Sequence, residues 1–373
     1  MSRAFTISDR ASLSAARTMV DLDTVTVVTA TLKHRNLLPH AFKYALWAVR
    51  PGGTIVIEDD GGRSAAPPAY EVSFNIVRQW AFKFIGAGCE VESLDARRLV
   101  LRRTAPVLAP GWAAGVVFSG NDGEIPTLLR CLDGLALQPE LDRTAGGEIV
   151  VSGPARDLGF LSDYPHVRYL PYETPPGPRF LIGQKKNALM AALTAPRMVI
   201  LHARVILDAG ALGRAPREFD ISGPVTRIAG AGGERPYLSL SQTDAVWPGT
   251  VPHRPTRGLH DAPSDDPLAL VERGGVFVDG GAFYVTRPVF EACPLHPLIA
   301  WEEAEDVEWC GRAFVQGFLI DIAPDSGALS QTSKLRDWSK LGVLQGPARA
   351  AWVFAKTQKA AVRHLVQRLL GRR

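Results

Sequence analysis

Residues 115–123 have the sequence Gly115-Val116-Val117-Phe118-Ser119-Gly120-Asn121-Asp122-Gly123. An apolar run that stops at small and polar residues predicts a buried strand followed by a turn. An amphipathic helix at 125–135 and a second strand at 149–151 follow. This alternation of strand, helix and strand predicts an α/β fold with a mostly parallel sheet at its core.

The same alternation extends in both directions along the chain. Towards the C-terminus, we predict a strand at 167–170, a helix at 184–194 and a strand at 198–201. Towards the N-terminus, we predict strands at 24–28, 54–57, 89–93 and 98–102 and helices at 40–49 and 74–85. The predicted plan is an N-terminal α/β unit (1–105), a Pro-rich linker (106–113), a larger α/β domain (114–340) and a basic C-terminal helix (341–373).

The composition is that of a globular protein. Of 373 residues, 46% are hydrophobic and 21% are charged, which argues against wholesale disorder. The four cysteines form no CxxC pair, and there is neither an apolar leader nor an uncharged apolar stretch of 18 residues. We therefore expect free thiols, no zinc site, no membrane span and a cytoplasmic location.

The C-terminal stretch differs from the rest of the chain in its charge. No acidic residue follows Asp337, whereas eight basic residues do, interleaved with apolar ones. This mixture fits a helix lying on the anionic inner face of a membrane, and it fits equally a helix packed on its own domain. Without aromatic stacking platforms it does not indicate a nucleic-acid partner.

Small and polar residues follow three of the predicted strands. They are Ser119-Gly120-Asn121, Ser152-Gly153-Pro154 and His202-Ala203-Arg204. Ligands of α/β sheets bind beyond the carboxyl ends of the strands, so these residues are candidates to border a ligand. Ordinary turn chemistry is the alternative explanation for each loop taken alone.

The segment Lys185-Lys186-Asn187 opens a predicted helix. Two lysines at a helix start oppose the helix dipole, which favours negative charge there. A docked anion such as a diphosphate would explain this placement. A solvated charged face would explain it as well.

The most distinctive stretch is Trp301-Glu302-Glu303-Ala304-Glu305-Asp306-Val307-Glu308-Trp309. It contains five carboxylates within seven residues, between two tryptophans. If the stretch is helical, residues 302, 305, 306 and 309 share one face. Crowded carboxylates beside aromatic surface raise one another's pKa, which suits a general base.

Together these residues resemble glycosyltransferase family 2, whose members have the GT-A fold, a Rossmann-like nucleotide-diphospho-sugar transferase fold. The resemblance covers about 114–338, and its most specific element is the stretch 301–309, similar to W-x-E-G-E-D-V-E-W in a bacterial branch of the family. Lys185-Lys186-Asn187 resembles the K-K-N of that branch. Residues 278–283 resemble the strand and turn before its acceptor site.

The resemblance implies an inverting transferase that moves a sugar from a nucleotide-sugar to a glycan or lipid-linked acceptor, in surface polysaccharide or cell-wall glycan synthesis. It implies Asp306 as the general base, with Glu305 tuning its charge. The implied donor-binding residues are Ser119, Asn121, Ser152, Lys185, Lys186, Asn187, His202 and Arg204. The implied acceptor and sugar region contains Asp279, Gly280, Gly281, Trp301 and Glu303.

The chain departs from the family pattern at Ala203, where relatives carry an acidic metal ligand. Three explanations stay open: Arg204 replaces the metal as counter-charge, the domain is an inactive binding or assembly module, or His202 with a distant carboxylate still holds Mn²⁺ or Mg²⁺ weakly. In addition, Ser152-Gly153-Pro154 stands where many relatives carry an aspartate near the nucleotide base.

The N-terminal unit resembles a different family. Residues 37–57, with the turn Arg50-Pro51-Gly52-Gly53, are similar to the late half of a class I methyltransferase. The G-x-G-x-G loop that would cradle S-adenosylmethionine is missing, so we expect neither that cofactor nor methyl transfer. We interpret the unit as a remnant that packs against the larger domain or mediates assembly.

Overall fold

The computed structural model describes residues 3–29, 32, 35–59, 74–142, 144, 146–173, 180–230, 233–237, 239–242, 267–271, 275–300 and 304–332. The predicted C-terminal helix (341–373) lies outside the described residues. Trp301 and Glu303 also lie outside them. No helix of the described ranges is long and apolar enough to cross a membrane.

The N-terminal unit is an α/β unit built on a five-stranded sheet. In chain order its elements are β1 (Ala4–Ile7), α1 (Arg10–Ala16), β2 (Leu22–Val28), α2 (Leu38–Ala48), β3 (Val49–Glu58), α3 (Phe74–Ile85), β4 (Cys89–Leu94) and β5 (Arg98–Arg103). The strand order is β1-β2-β3-β5-β4. The first three strands are parallel, and β5 runs antiparallel to both of its neighbours.

The larger unit begins with a βαβ arrangement and ends in smaller sheets. Its elements are β6 (Trp112–Val117), α4 (Ile125–Ala136), β7 (Glu148–Gly153), β8 (Val167–Pro171), α5 (Ile182–Ala192), β9 (Arg197–His202), β10 (Val205–Leu207), β11 (Ile221–Ser222), β12 (Pro224–Gly230), β13 (Gly233–Pro236), β14 (Leu240–Gln242), α6 (Leu268–Val271), β15 (Val276–Val278), β16 (Ala282–Thr286), α7 (Arg287–Ala292), α8 (Glu305–Val315) and β17 (Ala323–Ser330).

The main sheet of this unit has six strands in the order β11-β16-β9-β6-β7-β8. Strands β9, β6, β7 and β8 are parallel, which confirms the predicted mostly parallel core. Strand β16 runs antiparallel to β9, and β11 runs antiparallel to β16. The register places Val117 of β6 opposite both Ser152 of β7 and His202 of β9. The three strands therefore end side by side.

Strand β6 starts at Trp112, inside the segment predicted as the linker 106–113. Trp112 is buried, its ring stacked on Phe219 and edge-on to Tyr284. Trp112 therefore belongs to the core of the larger unit rather than to a connection between the units. Close packing also explains Gly115, where a Cβ would lie 2.9 Å from Leu189 of α5.

The two units share one continuous set of buried apolar side chains. Buried ion pairs cross the boundary between them. Arg103 donates to both carboxylate oxygens of Glu218, at 2.7 and 3.1 Å, and its Nη1 also donates to the carbonyl oxygens of Leu46 and Val49. Asp321 accepts from Arg17 at 2.5 Å and from the Tyr44 hydroxyl at 2.6 Å.

Candidate active site

The three polar loops predicted at the strand ends meet at one edge of the main sheet. The backbone N–H of Ala203, after β9, donates to the carbonyl of Val117 in β6. The N–H of Phe118, after β6, donates to the carbonyl of Ser152 in β7. The turn between β15 and β16 joins the same edge, since Gly281 accepts from the N–H of His202.

Asp306 lies in the first turn of α8 and faces this edge. Its Oδ2 accepts from the backbone N–H of Gly280 at 2.7 Å, and its Oδ1 accepts from the N–H of Val307 at 2.9 Å. A Cβ at Gly280 would lie 3.0 Å from Oδ2, so the glycine lets the carboxylate approach the turn closely. The carboxyl is therefore held in place by backbone groups.

A buried ion pair lies beside Asp306. Lys186 Nζ contacts Glu305 Oε1 at 2.7 Å and donates to the carbonyl of Gly280 at 2.7 Å. The lysine is fully buried, so its charge is compensated inside the protein. This corrects the prediction that Lys186 faces an anion at the start of its helix, because α5 begins at Ile182 and the ammonium group is committed to Glu305 and Gly280.

The pKa of Asp306 is raised from 3.8 to about 7. Burial is the largest cause, because it disfavours the charged carboxylate, and the negative charges of Glu305 and Asp279 add to it. The Lys186 charge and the Gly280 N–H act in the opposite direction. A pKa near 7 leaves a carboxyl that releases and accepts a proton at neutral pH, as the crowding of carboxylates in the sequence predicts.

Arg204 and His202 stand at the end of β9 on the other side of the turn. Arg204 Nη1 lies 2.9 Å from His202 Nδ1, and both side chains are buried. A Cβ at Gly281 would lie 2.7 Å from Arg204 Nη2 and also 2.7 Å from Asp279 Oδ2. Guanidinium and carboxylate thus flank Gly281, within the same cluster as Lys186, Glu305 and Asp306.

Lys185 points to the neighbouring loop rather than to this cluster. Its Nζ donates to the carbonyl of Phe118 at 2.6 Å, and it lies 5.8 Å from the ring centres of Tyr172 and Phe180. Burial lowers the pKa of Lys185 to about 8, although the negative charges of Glu124 and Glu173 act to raise it. The ammonium group remains mostly charged at neutral pH, at the carboxyl end of β6.

The remaining predicted donor-binding residues have local contacts. Ser119 donates its hydroxyl to Glu124 at 2.5 Å, and Asn121 Oδ1 accepts from the Gly123 N–H at 2.9 Å, so both shape the turn after β6. Ser152 is fully buried, and its hydroxyl has no hydrogen-bond partner within the described ranges. Asn187 bonds the N–H and carbonyl of Leu295 and fastens the 294–296 segment to α5.

Helix α8 begins at Glu305, and the residue before it is conformationally unusual. Ala304 has φ 55° and ψ 60°, in the left-handed region that L-residues rarely adopt. The family motif that residues 301–309 resemble has glycine at this position. The backbone is therefore strained next to Glu305 and Asp306.

The side chains at the end of β9 do not offer the ligand atoms that a divalent cation needs. Ala203 offers no oxygen, and His202 Nδ1 accepts from Arg204, because a guanidinium only donates. A neutral imidazole then carries its proton on Nε2, which leaves no nitrogen lone pair for a metal. Among the residues that the structure describes, no three His, Cys, Asp or Glu side chains form a metal-binding group. This corrects the expectation of His202 as a metal ligand.

The sequence did not predict the aromatic surroundings of the loop after β6. Arg156 lies 5.6 and 5.1 Å from the ring centres of Phe118 and Phe160 and donates to the Gly120 carbonyl. Tyr172 and Phe180 flank Lys185 in the same region. In the sequence, only the nearness of these aromatic residues to strand ends points to them. Tyr172, for example, follows β8 directly.

No protein-family model matches the chain, and no curated protein matches it. Among solved structures, it is similar to GalNAc-T7 with UDP, GalNAc and Mn²⁺, at 14% identity and a TM-score of 0.44, over 62% of this chain and 45% of that one. It is similar to the mannosyltransferase PcManGT from Pyrobaculum calidifontis, solved with GDP-Man and Mn²⁺, at 15% identity and a TM-score of 0.39, over 69% and 68% of the two chains. For S. aureus TarS 1–349 the identity is 12% and the TM-score 0.35, over 59% and 60%. The chain thus spans less than half of the first of these proteins.

Proposed function

We propose that the protein is an inverting glycosyltransferase of the GT-A type, with Asp306 as its general base. It moves a sugar from a nucleotide-sugar to a hydroxyl of a glycan or lipid-linked acceptor. The observation that carries this proposal is Asp306 itself: a carboxyl with its pKa raised to about 7, fixed on the Gly280 N–H at the carboxyl edge of a parallel sheet. The motif at 301–309 supports the same assignment.

The proposed step is a direct displacement at the anomeric carbon of the donor sugar. The acceptor oxygen forms the new bond while the bond from the anomeric carbon to the diphosphate oxygen breaks, and its electron pair leaves with the diphosphate. The acceptor proton passes to Asp306, which is ionised in a large fraction of molecules at neutral pH. Glu305 raises the pKa of Asp306, and Lys186 fixes Glu305 in place.

Asp306→Asn tests the assignment of the base. The full-length protein is incubated with a panel of UDP-, GDP-, CDP- and TDP-sugars and an acceptor mixture, and release of nucleoside diphosphate is measured. We expect turnover to fall about 10²- to 10⁴-fold, since Asn cannot take the proton. Glu308→Gln, which removes a carboxylate two positions along the same helix, is the matched control and should retain turnover. Full activity of Asp306→Asn would refute the role.

The pH dependence of turnover gives a second, independent test. Because Asp306 must be ionised, kcat/KM should rise with pH through about 7 and level off above it. The same measurement on Asp306→Asn should show no such rise. A wild-type profile that is flat between pH 5 and 9 contradicts the proposal.

A second candidate function is a binding or assembly module that has lost catalysis. The observation that favours it is Ala203, at the strand end where the resembled family carries an acidic residue. Turnover of any nucleotide-sugar excludes this candidate, whereas tight nucleotide binding without turnover supports it.

We also propose a pathway and a location for the reaction, and a role for the N-terminal unit. Surface polysaccharide or cell-wall glycan synthesis, at a cytoplasmic location with contact to an anionic membrane through 341–373, follows from the sequence resemblance and the basic tail. The N-terminal unit is proposed as a scaffold without methyl-transfer activity. The buried Arg103–Glu218 and Arg17–Asp321 pairs support that role.

A further inference from the structure

Arg204 is a buried cation whose hydrogen-bonding capacity is only partly used. The side chain is 7% exposed, and its Nη1 contacts His202 Nδ1. Its Nε and Nη2 have no hydrogen-bond partner among the described residues. A buried guanidinium with two such donors is a costly arrangement that an anionic ligand would compensate.

The position of Arg204 is fixed by its neighbours. Its own carbonyl accepts from the Gln331 N–H at 2.9 Å. The contact with His202 orients one edge of the guanidinium, and the absence of a side chain at Gly281 leaves room for Nη2. The remaining donors are therefore presented at the carboxyl edge of the sheet, where Asp306 also lies.

The chemistry of this strand end suits an anion and not a divalent cation. Arg204 and the Nε2–H of His202 are donors, and Ala203 supplies no oxygen. A divalent cation beside a buried guanidinium would also be repelled by its charge. The planar fork of an arginine, in contrast, matches two phosphate oxygens.

We propose that Arg204, rather than a divalent cation, is the counter-charge for the diphosphate of the donor. This inference rests on the proposed function. As the bond to the anomeric carbon breaks, negative charge grows on the diphosphate oxygen that leaves, and the guanidinium stabilises it through Nε and Nη2. The proton of the acceptor still goes to Asp306, so the step needs no further reactant.

Asp279 has a complementary place in this arrangement. Its Oδ2 is buried without a hydrogen-bond partner in the described part of the chain, next to the same glycine as Arg204 Nη2. A carboxylate oxygen accepts hydrogen bonds from hydroxyl groups and repels phosphate. Cation and carboxylate together therefore orient a ligand with its phosphate towards Arg204 and a sugar hydroxyl towards Asp279.

The test is nucleotide binding by the full-length protein, measured by calorimetry with UDP, GDP, CDP and TDP in EDTA and in MnCl₂. We expect the same affinity in both media for the nucleotide that binds. Arg204→Gln should weaken binding about 10- to 100-fold, with Arg204→Lys in between, because lysine keeps the charge and loses the fork. Arg197→Gln, at the opposite end of β9, is the matched control and should bind as the wild type does.

Each outcome separates the inference from the proposed function. Binding that requires Mn²⁺, or unchanged binding by Arg204→Gln, overturns the role of Arg204 while leaving glycosyl transfer intact. Failure of the wild type to bind any of the nucleotides in either medium overturns the proposed function together with the inference. A cooperative thermal unfolding transition of the unliganded Arg204→Gln variant shows that this variant is folded. If the variant does not fold, the comparison of wild-type nucleotide binding in EDTA and in MnCl₂ still decides whether Arg204 or a divalent cation is the counter-charge.

Discussion

The raised pKa of Asp306 has a measurable consequence for stability. Its folded-state pKa of about 7 lies above the ordinary value of 3.8, so the folded protein binds a proton that the unfolded chain has already released. Stability therefore falls as pH rises between these two values. Replacing the carboxyl by an amide of the same shape removes that penalty.

The size of the effect follows from the two pKa values. Their difference corresponds to about 4 kcal/mol of unfolding free energy above pH 7, as an upper limit, and to less than half of that at pH 5. We expect Asp306→Asn to be close to wild type in stability below pH 4 and increasingly more stable as pH rises to 8. The Asn oxygen can still accept from the Gly280 N–H.

Urea unfolding at several pH values between 4 and 8.5 measures this difference. Glu308→Gln provides the control, since it removes a carboxylate from the same helix but breaks an ion pair with Arg312 at 2.8 Å. That variant should be slightly less stable than wild type, the opposite sign. A stability gain of Asp306→Asn that does not grow with pH would refute the reasoning, as would a loss at pH 8.

Three further predictions concern packing. Arg103→Met should lower the unfolding free energy by about 3–5 kcal/mol, because the buried carboxylate of Glu218 loses its partner. The control Arg102→Gln removes an exposed ion pair with Glu92 and should change the unfolding free energy by less than about 1 kcal/mol. Ala304→Gly should raise stability by up to about 1 kcal/mol in urea unfolding, since glycine adopts the left-handed conformation without steric cost. Gly281→Ala should weaken nucleotide binding, measured by calorimetry, because its Cβ would lie 2.7 Å from a guanidinium nitrogen, whereas Gly311→Ala, with open space around it, should not.

Each of these predictions has a contradicting result. Equal losses for Arg103→Met and Arg102→Gln would show that the two units do not depend on the buried pair. A lower stability of Ala304→Gly would mean that the left-handed backbone before α8 carries no strain. Unchanged nucleotide affinity of Gly281→Ala would place the ligand away from the turn before β16.

Much of the fold was predictable because its strands are apolar runs bounded by clear turn residues. Helix α3 matches its predicted range of 74–85, and β9 differs from its prediction by one residue at each end. Strand β1 and helix α1 were not predicted, because β1 is an edge strand in which only Ile7 is buried. A pattern with one buried position has too little periodicity to detect.

The sequence pointed to several residues that the structure brings together, but not to the partners that each of them has. Crowding of carboxylates predicted a raised pKa for Asp306, and the structure adds burial as the larger cause. The sequence could not show that Lys186 neutralises Glu305, because the two residues are 119 positions apart. Residue types alone likewise could not show that Arg204 takes up the Nδ1 lone pair of His202.

The buried contacts between the two units also limit how this chain can be divided. A gene fragment that starts at 106 would encode a protein without Arg17, Lys43 and Arg103, while Asp321, Asp220 and Glu218 would remain. Its apolar face, shared with the N-terminal sheet, would become surface and favour aggregation. The two units are therefore expected to be expressed as a single piece.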